Sequence, residues 1–246
     1  NSITLINNAT INNADDNGSV RSFDGLTGVT VINNAGGIIK QDGLFDSAVF
    51  AEENINFTLI NSGTISSNDG QAVNIKKTTD AIITNNAGGL ITAKRNTIRC
   101  SGACTNPTIN NFGTITGRQE GVISLDKSNG VTINNNAGGL ITNRSSEGTN
   151  RNTIRIGTNG TLINSGTIIR TVDGAPSLDD VGAIKYEGNN VTVTLKDEGI
   201  VVGTINNSDG KTGAKLQVEH GYGRSYMYKT LGELELADLS GNRIVK

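Results

Sequence analysis

A five-residue phrase ending in asparagine recurs along this chain, and its spacing limits the folds open to it. The phrase stands at Ile3-Thr-Leu-Ile-Asn7, Val29-Thr-Val-Ile-Asn33, Phe57-Thr-Leu-Ile-Asn61, Ala81-Ile-Ile-Thr-Asn85, Pro107-Thr-Ile-Asn-Asn111, Val131-Thr-Ile-Asn-Asn135 and Gly160-Thr-Leu-Ile-Asn164. Successive terminal asparagines are 26, 28, 24, 26, 24 and 29 residues apart. An eighth copy, Val191-Thr-Val-Thr-Leu195, has leucine where the others have asparagine. Self-similarity at such a period marks a repeat architecture in which each unit is one supersecondary element.

Within a copy the side chains alternate. Val29 and Val31, Phe57 and Leu59, or Val131 and Ile133 share one face with the asparagine, and threonine often stands between them. Period-two alternation of β-branched residues reads as a strand. Each copy is followed by a turn and another short strand, and two versions of the turn alternate along the chain: Asn-Ala-Gly-Gly-(Ile/Leu)-Ile at 34–39, 86–91 and 136–141, and (Ser/Phe)-Gly-Thr-Ile at 62–65, 112–115 and 165–168. A third strand precedes each unit, as at 72–76, 97–100, 122–126, 153–157 and 183–187. The reading is all-β: a right-handed parallel β-helix with three short strands per coil and about eight coils. Sandwiches and barrels use hairpins, with strands every 8–12 residues or so, and nothing in them enforces this period.

The recurring asparagines, Asn7, Asn33, Asn61, Asn85, Asn111, Asn135 and Asn164, then face inward at one corner of successive coils. A stacked amide there bonds to backbone and to its neighbour, so that buried polar groups are paired. This assigns them a structural ladder rather than a ligand site.

Composition removes several classes. Aromatics are 4%, Trp is absent and Gly occurs 32 times, which suits a disordered chain; the periodic apolar signal excludes that. Lys plus Arg number 21 against 23 Asp plus Glu, without the basic excess of a nucleic-acid binder. No apolar run reaches the roughly 18 residues of a membrane helix. Residues 1–20 lack a signal-peptide pattern, so an exported form is expected to have lost its targeting segment. Cys100 and Cys104 form a small local disulfide in an oxidising compartment, or are two free thiols with Cys100 packed as an apolar residue. A metal site is not expected, since the lone histidine, His220, lies far from both.

After about residue 205 the pattern changes. The expected division is a β-helix over 1–205 and a cap over 206–246, a hairpin or small sheet that shields the last coil's strand edges. Tyr222, Tyr226 and Tyr228 are expected to pack over that end rather than bind a ligand.

With Leu-Ile-Asn-Ser-Gly-Thr-Ile at 59–65 and 162–168, and Asn-Asn-Ala-Gly-Gly-Leu-Ile at 85–91 and 135–141, nearly the whole chain resembles the passenger domains of autotransporters, the exported part of Gram-negative type V secretion proteins. The resemblance implies a bacterial cell-surface or secreted location, an autochaperone-like C-terminal region, and a membrane barrel of the same precursor, which is not in this sequence. It also implies few, closely spaced cysteines, as Cys100 and Cys104 are.

β-Helices also carry polysaccharide lyases and glycosidases, which use carboxylate clusters or pairs. The acidic pairs here, Asp15-Asp16, Glu52-Glu53 and Asp179-Asp180, stand near irregular stretches with no matching column in adjacent coils. No Gly-x-Ser-x-Gly motif accompanies His220. No enzyme activity and no cofactor is expected. Lys76, Lys77, Arg99, Arg155 and Lys185 fall on the face of the strand that precedes each repeated phrase and form a candidate stripe for an acidic glycan. The favoured function is an adhesin acting through its extended polar surface, by self-association or on a host or cell-surface glycan or protein, with no nucleic-acid partner. A stalk displaying a distal domain and a polysaccharide-degrading enzyme are the alternatives. The longest interruptions, 15–28, 41–56, 144–152 and 171–182, are where a repeat protein places functional loops.

Overall fold

The computed structural model describes residues 2–15, 18–23, 25–44, 46–144 and 151–245. Asp16 and most of the 144–152 loop lie outside the described residues. Three parallel sheets wind around one core as a β-solenoid of about eight turns. The first sheet holds the repeated phrase, from Ile3–Asn7 through Val29–Asn33 and its successors to Glu235–Asp238, ten strands in order. The second runs from Thr10–Asn13 to Ile200–Val202, and the third from Val20–Ser22 to Thr230–Leu231. With strands about 4.8 Å apart, the ten rungs span roughly 43 Å.

Register follows the sequence repeat. Val31, Leu59, Ile83, Ile109, Ile133 and Leu162 stack in one inward column. Ile39, Ile65, Ile91, Ile115, Ile141 and Ile168 form a second, and Val49, Val73, Ile98, Ile123, Ile154 and Ile184 a third. All eighteen are buried. Each contributes about 1.5–3 kcal/mol by leaving water, and only because coils above and below cover it.

The seven asparagines are in register at the corner between the first and second sheets. From Asn7 to Asn164 each Nδ2 donates to the next Oδ1, at 2.7–2.9 Å in all six steps. Most also donate to the carbonyl of a turn glycine: Asn33 to Gly37, Asn61 to Gly63, Asn85 to Gly89 and Asn135 to Gly139. At Gly63 an added Cβ would lie 2.2 Å from the Gly37 carbonyl oxygen and 2.8 Å from the Asn33 amide nitrogen. The ladder fills the space a side chain would need. The longer turns gain a glycine in the left-handed region, at Gly36, Gly88 and Gly138.

A second column stands at the corner where the third sheet hands over to the first. Gly28, Asn56, Asp80, Asn106, Gly130, Asn159, Asn190 and Gly213 all have positive φ, between 49° and 71°. In register they precede the strands of eight successive coils. Gly, Asn and Asp are the residues that enter this region at least cost.

At the C-terminal end the strands keep their direction. Lys215–Glu219 pairs in parallel with Thr192–Lys196, Glu235–Asp238 with Lys215–Glu219, and Thr230–Leu231 with Ile205–Asn206. The antiparallel pair among the described residues lies at 171–176, where the loop after the second sheet's Thr167–Val172 strand doubles back. Tyr226 and Tyr228 pack against the core, but Tyr222 is 86% exposed and covers nothing.

Candidate interaction faces

Because the core is filled, what the molecule offers a partner is its three outward faces and its ends. On the first sheet two outward columns run the length of the rod. One is Thr4, Thr30, Thr58, Ile82, Thr108, Thr132, Thr161 and Thr192; the other is Ile6, Ile32, Ile60, Thr84, Asn110, Asn134, Ile163 and Thr194. Neither column carries a charge over these eight coils. The first charges of the face are Lys196, Lys215, Glu219 and Glu235, at the C-terminal end. The second sheet's outward positions are also uncharged apart from Lys40.

Charge concentrates on the third sheet, and there it is paired across coils. Arg155 sits between Asp126 at 3.3 Å and Glu187 at 2.7 Å. Lys185 reaches Asp209 at 3.0 Å, Lys76 reaches Glu52 at 2.5 Å and Lys77 reaches Glu53 at 2.8 Å. The expected stripe is therefore split. Arg99, Arg155 and Lys185 share an outward column with Arg21, Phe50, Asn74 and Ser124, whereas Lys76 stands two residues further along its strand, in register with Glu52. Lys76, Arg155 and Lys185 are neutralised by a carboxylate from their own or an adjacent coil. Arg99 has no ion pair among the described residues.

Near the N-terminal end of that column Arg21 lies over the rings of Phe23 and Phe50, at 4.7 and 5.0 Å from their centroids. Phe23 is 44% exposed. Beside this pair Asn74 is buried, and its amide oxygen has no hydrogen-bond partner.

Compared with protein-family models, curated proteins and solved structures, the chain matches none.

Two of the three acidic pairs, Glu52-Glu53 and Asp179-Asp180, are engaged structurally. Glu52 and Glu53 hold the two lysines above. Asp179 forms a two-pronged bond to Arg170, which is 1% exposed, and the guanidinium holds the Asp179 carboxyl below its ordinary range. Asp180 meets Lys229. Among the described residues no group of three His, Cys, Asp or Glu side chains is placed to hold a metal ion. Cys100 and Cys104 are joined in a buried disulfide at the corner after the third sheet.

At the C-terminal end an open groove of about 1390 Å³ runs between the last strands, lined by Leu216, Val218, Tyr226, Leu234, Leu236 and Val245 among others. His220 contacts the Asp197 carbonyl oxygen through Nδ1 at 2.7 Å and the Tyr228 hydroxyl through Nε2 at 2.8 Å. A carbonyl only accepts, so Nδ1 donates to Asp197, while Nε2 shares a hydrogen bond with the Tyr228 hydroxyl. The Tyr226 hydroxyl donates to the Asp238 carboxylate. That bond, with further ones from Asn242 and Ser240, holds Asp238 down at about 2, while burial and the bond to Asp238 push the Tyr226 hydroxyl up. These contacts tie down the final coil.

The third-sheet pairing and the left-handed column escape a sequence reading for different reasons. Ion partners come from coils 24 to 32 residues away and cannot be assigned without register. The left-handed column has a visible signal, Gly, Asn or Asp immediately before each repeated phrase from the second onward, but Asn-rich surroundings hide it.

Proposed function

We propose that this chain is a β-helical passenger module of the autotransporter kind, displayed outside the cell, and that it acts as an adhesin through its lateral faces. The observation that carries the reading is the first sheet's outward surface, uncharged and repeating across eight coils. A face without charge demands little desolvation and sets up no like-charge repulsion between two copies. Eight rungs of four- to five-residue strands present roughly 600 Å², somewhat less than the ~800 Å² per partner of a standard interface. One such contact is weak. Many rods on one cell surface make it strong by multivalency. The disulfide supports an oxidising, extracellular setting.

The test is aggregation of cells displaying the chain, compared with cells displaying a Thr108→Lys, Thr132→Lys double variant. Both threonines point outward and leave the core untouched. Aggregation lost in the double variant supports lateral adhesion. A chain that causes no aggregation or attachment in any form is a stalk, and release of reducing ends from a polysaccharide by the purified chain makes it an enzyme.

A further inference from the structure

We infer that the third sheet carries a binding site for a carboxylated oligosaccharide, built on Phe23, Phe50, Asn74 and Arg99 and distinct from the uncharged first-sheet face. Three observations converge there. Among the described residues Arg99 is the cation of the stripe that forms no ion pair, while Lys76 and Lys77 near it each have one. Asn74, directly between Phe50 and Arg99 in register, is 8% exposed and its amide oxygen has no donor. A buried acceptor left unpaired is costly, and other asparagines of the rod are paired through an amide ladder. Phe23, packed edge-on against Phe50 with centroids 6.2 Å apart, keeps 44% of its surface exposed.

Phe50, Asn74 and Arg99 lie along a line that crosses the strands, and Phe23 stands beside it on the rung before Phe50. From the Phe23 rung to the Arg99 rung is three strand spacings, about 14 Å, close to the length of three pyranose units. A sugar chain running along the rod places the apolar C–H face of one ring on Phe23. A hydroxyl of the next ring donates to the Asn74 amide oxygen once that amide turns outward. The carboxylate of a third unit accepts two N–H bonds from the planar Arg99 guanidinium. The ligand is anionic because the surplus charge of the patch is Arg99 alone, the Lys76–Glu52 and Lys77–Glu53 pairs cancelling. One free cation selects one acidic unit at a time rather than a densely charged polymer.

The inference rests on the adhesive reading only in taking the ligand to be a surface glycan. Calorimetric titration of the purified chain with short oligogalacturonides, against the same oligomers methyl-esterified, tests it. Binding is expected for the acid form, weakened by salt, and at least about tenfold weaker for the ester. Arg99→Ala is expected to lose about tenfold or more, and Arg99→Lys less, because the charge stays while the fork is lost. Phe23→Ala weakens acid and ester alike. Lys40→Ala, on the second sheet and paired with Asp42, leaves affinity unchanged. Equal affinity for acid and ester, equal losses in Arg99→Ala and Lys40→Ala, or no binding with circular dichroism showing a folded chain overturns the site. Aggregation that survives Arg99→Ala leaves the first-sheet reading standing, so the two fail separately.

Discussion

Replacing one ladder asparagine by its isosteric acid, Asn85→Asp, isolates what the ladder contributes. Asn85 is fully buried. Its Oδ1 accepts from Asn61 at 2.8 Å, and its Nδ2 faces Asn111 Oδ1 at 2.9 Å and the Gly89 and Thr114 carbonyls at 3.2 Å each. An ionised aspartate keeps the first bond and turns the other three into oxygen–oxygen contacts with no proton between them. A fully buried carboxyl shifts upward by up to about 3–5 units. Taking three units at about 1.4 kcal/mol each gives roughly 4 kcal/mol. To this is added about 1 kcal/mol for the Asn111 oxygen, which loses its donor.

Protonation reverses most of the loss, since the hydroxyl of the neutral acid donates to Asn111 in place of the amide. The folded-state pKa of the introduced carboxyl then stands above the unfolded value of about 3.9, so the variant is closest to the wild type below about pH 4. It loses stability as pH rises through the folded pKa, near 7 on these numbers, and stays about 4–5 kcal/mol down above it. The assay is urea denaturation of both proteins from pH 4 to 8, with hydrogen exchange at the Asn86 and Phe112 amides to follow the affected coils, because long repeat arrays do not always unfold as one unit. A pH-independent difference, or one below about 1 kcal/mol at pH 8, refutes the ladder as a continuous buried hydrogen-bonded column.

The two glycine columns separate by mechanism. Gly63→Ala places a Cβ against the Gly37 carbonyl and is expected to lower the urea midpoint far more than Gly88→Ala, where the space is open and only a left-handed alanine is strained, by about 1–2 kcal/mol. Asp179→Ala removes the carboxylate from the buried Arg170 guanidinium, which keeps its bond to the Arg151 carbonyl, and is expected to cost about 3 kcal/mol, whereas Asp180→Ala breaks an exposed pair with Lys229 and stays within about 1 kcal/mol in the same measurement. Asp238, held at about 2, stabilises the last coil above its unfolded value near 3.9 and ceases to do so as pH falls toward 2. NMR of residues 235–242 is expected to show fraying in that window, and Asp238→Asn to abolish the pH dependence.

How much of this was legible depends on where each residue's partners come from. The inward columns and the amide ladder were readable because their members are chemically alike and stack on themselves: Asn85 predicts Asn61 below and Asn111 above. Leu195 was readable as the place the ladder stops, where Asn164 donates only to the Ile200 carbonyl. The outward third-sheet column was not readable in the same way. Arg99, Arg155 and Lys185 look equivalent in sequence, and period two puts them on one face. What distinguishes them is whether a neighbouring strand supplies an acid, and Asp126, Glu187 and Asp209 come from different positions in their coils.

On the adhesive reading proposed above, that contrast assigns binding specificity to the outward positions. A residue stacked on its own kind is constrained from above and below, so a change in one coil disturbs two others; the Asn column and the glycines beside it are fixed together. Outward positions meet only neighbours on the same face, and a single unmatched residue there costs the fold little. Among the described residues of the third sheet's outward column Arg21, Arg155 and Lys185 each meet a carboxylate and Arg99 does not, beside Asn74, whose amide oxygen has no hydrogen-bond partner. The same reasoning gives the first sheet the opposite character: eight matching rungs of Thr, Ile and Asn recognise no particular atom and gain affinity only by length. Shortening the rod by whole coils should therefore weaken first-sheet adhesion progressively, while oligosaccharide binding at Arg99 should persist until the coils carrying Phe50, Asn74 and Arg99 are themselves removed.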